Sequence, residues 1–484
     1  MTAIKRRSVL RGAFGTAAAT VIPFETWFGA QAHAAGPVLT RYDVATTQGQ
    51  AMLDKYRIAV GLMKGLPAGN PSAWQFQWYT HNVKSSTTKA AAIAAIYPAG
   101  SSPADKALAQ AMWDTCQAHF GRPLDMFLPW HRIYVYYLEN IVRSVLKDPT
   151  FTLPYWNYSA QPTRAMPAAF RKAGTSLFSD KRNAGPNAGK GIPAGSVALD
   201  ALDEPAYADF NAQINGGIHG AVHVWVGNQT EGMGSVPWAA NDPIFWMHHS
   251  NIDRLWASWN KAGRKNPSDA WLTQKFTFAD GNGKQVMATV GNFDQISKLN
   301  YTYDRFEPVT PVPPAQLMAA ATVHLQSTGA LVDATSGPVA LGAAPVHVTM
   351  KSPPAAPANA MAFAAVGAAL GPSKTVKLLL DNLTADGQPG VLFDVYLDLP
   401  AGTAPDPDGP NYAGTINFFA VNPPHADHGG QPVAQNFSLN VTRMVRELAA
   451  AGKLTDTPSV TIVPQGAPDA AAKPAIGGIR IVGR

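Results

Sequence analysis

Two adjacent histidines, His248 and His249, sit inside the run NDPIFWMHHSNIDRLWASW, Asn241–Trp259, among Phe, Trp, Ile and Leu. A buried imidazole costs free energy unless something binds it. This run therefore constrains the fold more than any other part of the chain: it must be a core element that also holds a ligand. Stepping by three and four from Phe245 gives His249, Ile252, Trp256 and Trp259, an unbroken buried stripe. His248 shares a more mixed face with Ile244, Asn251 and Leu255. Neighbouring helical residues diverge by roughly 100°, so the two rings do not aim at one metal from a regular helix. The register selects His249 as the ligand and leaves His248 beside it.

The other histidines sharpen this. Of the 12 in the chain, His81, His119 and His131 lie in the first half of a Trp- and His-rich region, and His219, His223, His248 and His249 in its second half. His219 and His223 are an i, i+4 pair, which places both rings on one helical face about a turn apart. Gly220 follows the first of them where a zinc protease would carry Glu. His131 heads an apolar stripe through Val135, Leu138, Val142 and Val145. A single case reads most simply as a core histidine bonded to a carbonyl. Two sets of three, with no carboxylate cluster beside them, point instead to two metal ions held by neutral nitrogen. Imidazole suits copper and zinc, whereas magnesium, calcium and manganese prefer oxygen.

The periodicities place these residues. AMLDKYRIAVGLMK and DMFLPWHRIYVYYLENIVRSVL read as helices, the first with Met52, Tyr56, Ala59 and Met63 on one face and the second entered at Pro129. Residues 170–201, rich in Gly, Pro, Asn and Ser, read as long loop. EPVTPVPPAQ is a Pro-rich linker. Beyond it, APVHVTMK, KTVKLLLDNL, GVLFDVYLDLP, INFFAVN, SVTIVPQG and GIRIVGR alternate as strands, interrupted by one helix, TRMVRELAAAGK. The expected class is a mainly α catalytic domain, a helical bundle holding the dimetal site (36–305), a linker (306–320) and an all-β, sandwich-like C-terminal domain (321–484).

Composition excludes some classes. The chain has 484 residues, 14% of them charged, and a formal charge of +6 without a clustered basic patch, which argues against nucleic-acid binding. Half of that charge comes from Lys5, Arg6, Arg7 and Arg11 against Glu25 in the first 34 residues. There the twin arginines, a short weakly apolar run and Ala32-His33-Ala34 resemble a twin-arginine export signal, which implies a periplasmic or extracellular protein. The run is too short for a permanent membrane anchor. With Cys116 alone, no intramolecular disulfide forms. The oligomeric state is not legible.

FLPWHR (Phe127–Arg132) and NDPIFWMHHSNIDRLW (Asn241–Trp256) resemble the two copper signatures of tyrosinases, catechol oxidases and molluscan haemocyanins. LPYWNY (Leu153–Tyr158) and LNYTYD (Leu299–Asp304) resemble further stretches of that family, and LFDVYLDLP, YAGTINFFAV with HADH, SVTIVPQG and IGGIRIVGR resemble the C-terminal domain of plant polyphenol oxidases. The resemblance implies a type-3 dicopper site, with His81, His119 and His131 on copper A and His219, His223 and His249 on copper B. It implies O2-dependent oxidation of o-diphenols to o-quinones and ortho-hydroxylation of monophenols, with a phenolic small molecule and O2 as partners. Phe245 would stack on a ligand histidine, and His248 and Asp253 would stand behind the ligands.

Three features depart from the family pattern. The His119 to His131 spacing is longer, with Gly121, Arg122 and Pro123 inserted. Cys116 precedes His119 by three residues and is either a buried thiol or the partner of a thioether to a ligand histidine. Many monophenol-active relatives carry Asn where this chain has Gly220, which implies either weaker monophenolase activity or substitution by another group such as Asp209 or Glu204. The alternatives are a catechol oxidase without monophenolase activity, a haemocyanin-like O2 carrier and a dizinc hydrolase. The C-terminal domain is expected to shield the site, and Arg41 to stack on Tyr301 and Tyr303.

Overall fold

In a computed structural model, the structure describes residues 37–483 apart from 85, 117–124, 161, 310, 312–329, 334–336, 351–374 (save 363 and 367), 420 and 422–434. His119, the inserted Gly121-Arg122-Pro123, the export-signal segment and most of the Pro-rich linker therefore lie outside the described residues.

The helix Thr47–Lys64 starts where the Thr46 side chain accepts from Gly49 N–H. Its buried face is Leu53, Tyr56, Ala59, Val60 and Met63, while Met52 sits at the rim rather than on the stripe. The helix Phe127–Leu146 has Pro129 in its first turn and ends at Lys147 in a left-handed conformation. It packs against both Thr47–Lys64 and Ile244–Lys261. In that last helix every residue from Ile244 to Trp259 is buried. The expected difference between a buried and a mixed face is therefore absent: Asn251, Asp253 and Arg254 are buried with hydrogen-bond or ion-pair partners, and burial does not separate His248 from His249. Residues 170–201 contain only single turns, as the Gly/Pro content predicts. One hairpin, Lys275–Ala279 with Gln285–Thr289, is an addition that sequence reasoning missed.

The start and end of this region are tied together. Leu39–Arg41 pairs in parallel with Tyr301–Tyr303. The Arg41 guanidinium lies 3.7 Å from the centroid of the Tyr301 ring, as expected, and donates to Glu139 at 2.9 Å and to Asp253 at 3.1 Å.

After residue 329, two sheets share one buried core. One runs in the order Tyr412–Ile416, Phe393–Leu397, Ser459–Pro464, Val346–Thr349. The other runs Gln435–Asn440, Val376–Thr384, Ala475–Gly483, Ala330–Asp333. Leu378, Leu380, Val395, Leu397 and Ile479 are among the residues that meet between them, and the helix Thr442–Ala450 covers one side through Val445 and Leu448. INFFAVN does not form the expected strand. The strand ends at Ile416, Asn417 turns the chain, and Phe419 joins the helical core instead of the β core.

Candidate metal centre

Four elements deliver the histidines. His81 closes the short helix Trp74–His81. The backbone just beyond Trp113 is bonded to that helix, Asp114 N–H to Tyr79 O at 3.2 Å and Thr115 N–H to Thr80 O at 3.2 Å. This brings Cys116 to the same place. His131 comes from the first turns of Phe127–Leu146, His219 and His223 from a broken helix ending at Val226, and His248 and His249 from the central helix.

Two groups result. The ligand atoms of His219, His223, His248 and His249 all lie within 4.8 Å of one another, and so do those of His81, Cys116 and His131. All seven residues are buried. The groups adjoin: the His131 and His249 rings stack with centroids 4.2 Å apart and planes 9° apart. Cys116 Sγ lies 3.5 Å from His131 Nε2.

The hydrogen bonds fix which nitrogens face inward. His131 Nδ1 lies 2.9 Å from Phe127 O, His219 Nδ1 3.0 Å from Asn215 O, and His223 Nδ1 2.7 Å from Met233 O. A carbonyl oxygen only accepts, so each Nδ1 carries the proton and each Nε2 keeps its lone pair for a metal. His249 has both ring nitrogens buried without a hydrogen-bond partner among the described residues, the condition a bound metal relieves. His248 Nδ1 bonds the Tyr158 hydroxyl at 2.9 Å, and its Nε2 is buried without a hydrogen-bond partner among the described residues. Tyr158 lies in LPYWNY, but no spacing rule connects it to the doublet across 90 residues.

Burial pushes the His248 imidazole down to about 3. It pushes His249 well below the ordinary value too, helped by the facing His131, His248, His219 and His223. Both rings are therefore neutral near pH 7, the form that binds metal. The donor set is imidazole nitrogen plus one thiol, which fits copper or zinc and no hard oxygen-loving ion.

Aromatic rings wall the centre. Phe245 lies 4.2 Å from His249, 5.1 Å from His81 and 5.8 Å from His223, centroid to centroid. Phe127 lies 4.8 Å from His131 and 4.6 Å from His219. One more ring arrives from the β region: Phe419 stacks on His223 at 4.1 Å with planes 19° apart, and sits 5.6 Å from His219. Sequence reasoning missed Phe419, because in INFFAVN it is one apolar residue of an apparent strand.

Asp253, one turn after His249, is the hub of the support behind the centre. Its carboxylate accepts from Arg132, from Arg41 at 3.1 Å and from the Tyr301 and Tyr303 hydroxyls at 2.6 Å each. Burial alone would raise this carboxyl; Arg132 and Arg41, with the two hydroxyls, hold it below the usual carboxylate range. Glu204, considered as a stand-in for the side chain missing at Gly220, is committed elsewhere: it pairs with Lys377 of the β region at 2.5 and 2.7 Å.

Comparison with known proteins follows the same division of the chain. Residues 71–196 and 194–262 match the family described as the common central domain of tyrosinase, and residues 329–484 match one described as a domain of unknown function. A tyrosinase of Hahella sp. is 28% identical over 475 residues, covering 89% of this chain and 96% of that relative. A chloroplastic polyphenol oxidase of Malus domestica is 26% identical over 497 residues, covering 89% and 75%. The solved structure of latent apple tyrosinase superposes with a TM-score of 0.64 at 23% identity, covering 94% of this chain and 98% of that one. A functional unit of octopus hemocyanin shares the fold more distantly, with a TM-score of 0.51 at 15% identity over 92% and 99%.

Proposed function

We propose that this chain is a copper-dependent phenol oxidase; the match of residues 71–262 to the central domain of tyrosinase and the similarity to a tyrosinase and a polyphenol oxidase support the reading. Its main reaction is oxidation of an o-diphenol to an o-quinone, and ortho-hydroxylation of a monophenol is the weaker one. The observation that carries the reading is the pair of adjoining buried histidine groups meeting at the His131–His249 stack. Copper A would be held by His81, His131 and His119, and copper B by His219, His223 and His249. Two coppers held there would supply O2 binding and accept electrons from the phenol.

The chain's own residues do the rest. The Nδ1–H bonds of His131, His219 and His223 to backbone carbonyls keep each Nε2 aimed inward. His249 is assigned to copper by the signature it stands in and because neither of its ring nitrogens has a hydrogen-bond partner among the described residues; His248, held at Nδ1 by Tyr158, is read as standing behind it. Phe245 and Phe127 form an apolar wall that a phenol ring packs against and that limits water. Gly220 offers no side chain to steer a water toward the phenol proton, which favours diphenols over monophenols. An o-diphenol oxidase without monophenolase activity is the second reading on that same observation.

Phe419 occupies the space over His223 that a substrate ring would use. The β-rich lobe after the linker therefore keeps the intact chain latent, the word also carried by the apple structure. We further propose that the twin-arginine segment exports the folded protein, which a reporter fused to residues 1–34 checks by its twin-arginine-dependent secretion.

The test uses copper-loaded full-length protein and 4-methylcatechol. Quinone formation should be abolished by chelation and by His249→Ala, and tyrosine should turn over more slowly than its o-diphenol. Metal-free protein that remained active, or metal analysis giving zinc alone, would overturn the reading.

A further inference from the structure

The helix leading into His219 is broken. Asn215–His219 forms a wide turn, and Gly217 leaves helical geometry at ψ −107°. Such a break removes regular partners from nearby backbone carbonyls. The β-rich lobe supplies a donor here: Asn417 Nδ2 donates to Gly216 O at 2.6 Å and, at 3.4 Å, to Gly217 O, which also accepts from Gly220 N–H. Asn417 is fully buried, and its Oδ1 accepts from Phe419 N–H at 3.1 Å. One carboxamide thus connects the break before His219 to the ring stacked on His223.

Gly220 explains how that carboxamide fits. Its backbone is helical, φ −62° and ψ −36°, so any residue could adopt it. A helical glycine costs about 1 kcal/mol relative to alanine, so conformation is not what glycine supplies here. Space is. A Cβ at position 220 would lie 2.4 Å from Asn417 Oδ1, 2.9 Å from Nδ2 and 3.0 Å from Cγ. All three atoms belong to the carboxamide of a fully buried residue whose Nδ2 and Oδ1 are both hydrogen-bonded, so moving it aside breaks those bonds.

We propose that Asn417 and Gly220 form the latch that seats the β-rich lobe on the histidine centre. The carboxamide fills the volume that a side chain at 220 would take and completes the hydrogen bonding of the broken helix. It holds Phe419 over His223 by the same contact. The proposal deepens the reading of Phe419 as the cover of the site and rests on it. It follows that residue 220 sets how firmly the lobe is seated, in addition to any effect on the substrate.

The experiment is hydrogen exchange on the full chain, metal-free and copper-loaded, in Gly220→Ala, Asn417→Ala and the double variant. Gly220→Ala should speed exchange of the 414–419 amides by about tenfold or more, because the lobe opens locally at that contact. In the Asn417→Ala background the same change should add less than about twofold, since the atoms it would strike are gone. If Gly220→Ala alone fails to fold, Asn417→Ala should restore folding. Unchanged exchange in Gly220→Ala, independent addition of the two effects, or failure of that rescue would each overturn the latch. Catechol turnover is read separately, before and after removal of the lobe. Coupled exchange with no turnover in either form keeps the latch and removes the phenol oxidase reading.

Discussion

The molecule is closed by two buried polar junctions that differ in how they are connected. Within the helical region, Arg41, Arg132, Glu139, Asp253, Tyr301 and Tyr303 tie the first strand, the two long helices and the last strand into one network. Between this region and the β-rich lobe, the contacts include Glu204 with Lys377, Ser196 with Thr415 and, linked to each other, Asn417 on the Gly216–Gly217 break and Phe419 on His223. In the first junction each charge has several partners, so losing one disturbs all the others. In the second, the ion pair and the Asn417–Phe419 pair are held separately, so one can fail without the other. On the proposed reading the first seal is structural and the second is the one that opens.

Removing the hub of the first junction should have the largest effect. Asp253→Ala leaves Arg41 and Arg132 buried without their shared carboxylate and should cost about 3–5 kcal/mol, read as a fall in Tm by calorimetry. A loss below about 1 kcal/mol would mean the network is not what closes the helical region. Acid should expose part of the same term. Because the folded Asp253 carboxyl lies below its ordinary value, its contribution is complete above about pH 4. It is lost as pH falls through the folded value, so Asp253→Asn should flatten the acid limb of the stability curve. A variant whose acid limb matched the parent's would place that linkage elsewhere.

The second junction should respond less in stability and more in activity. Lys377→Ala leaves the buried Glu204 with Gln213 but without its cation and should cost on the order of 1–3 kcal/mol, while raising catechol turnover of the copper-loaded intact chain as the lobe loosens. Equal turnover in parent and variant would count against the lobe as a cover. The smallest effect belongs to an ion pair at the rim of the first junction. Arg305 meets Asp43 at 3.1 Å with its side chain 63% exposed, so Arg305→Ala should change stability by about 0–1 kcal/mol. A larger loss in thermal unfolding would extend the buried network outward.

Elements with strong period were legible from sequence. The stripe through His131 and the run from Asn241 to Trp259 each gave a helix with the expected histidines inside. Arg41 met Tyr301 and Tyr303 as anticipated. What escaped was tertiary. The stripe argument about His248 assumed a half-exposed helix, yet the helix is buried on every side, and the partner that holds its Nδ1 is a phenol hydroxyl 90 residues away. Asn417 and Phe419 lay in a run that alternation reads as strand. Nothing local shows that the strand stops at Ile416 and that the next residues cross to the other lobe. Gly220 was visible as a missing side chain, but the partner that fills its space comes from about 200 positions downstream, a separation that no periodicity reports.

The central claim is a copper phenol oxidase whose site is covered by its own lobe. Its most direct test is quinone formation from 4-methylcatechol by copper-loaded protein, intact and after cleavage within 308–314. The account predicts turnover that requires copper and rises by about tenfold or more once the cover is free to leave. Equal rates before and after cleavage would contradict the cover, and no quinone from either form would contradict the oxidase.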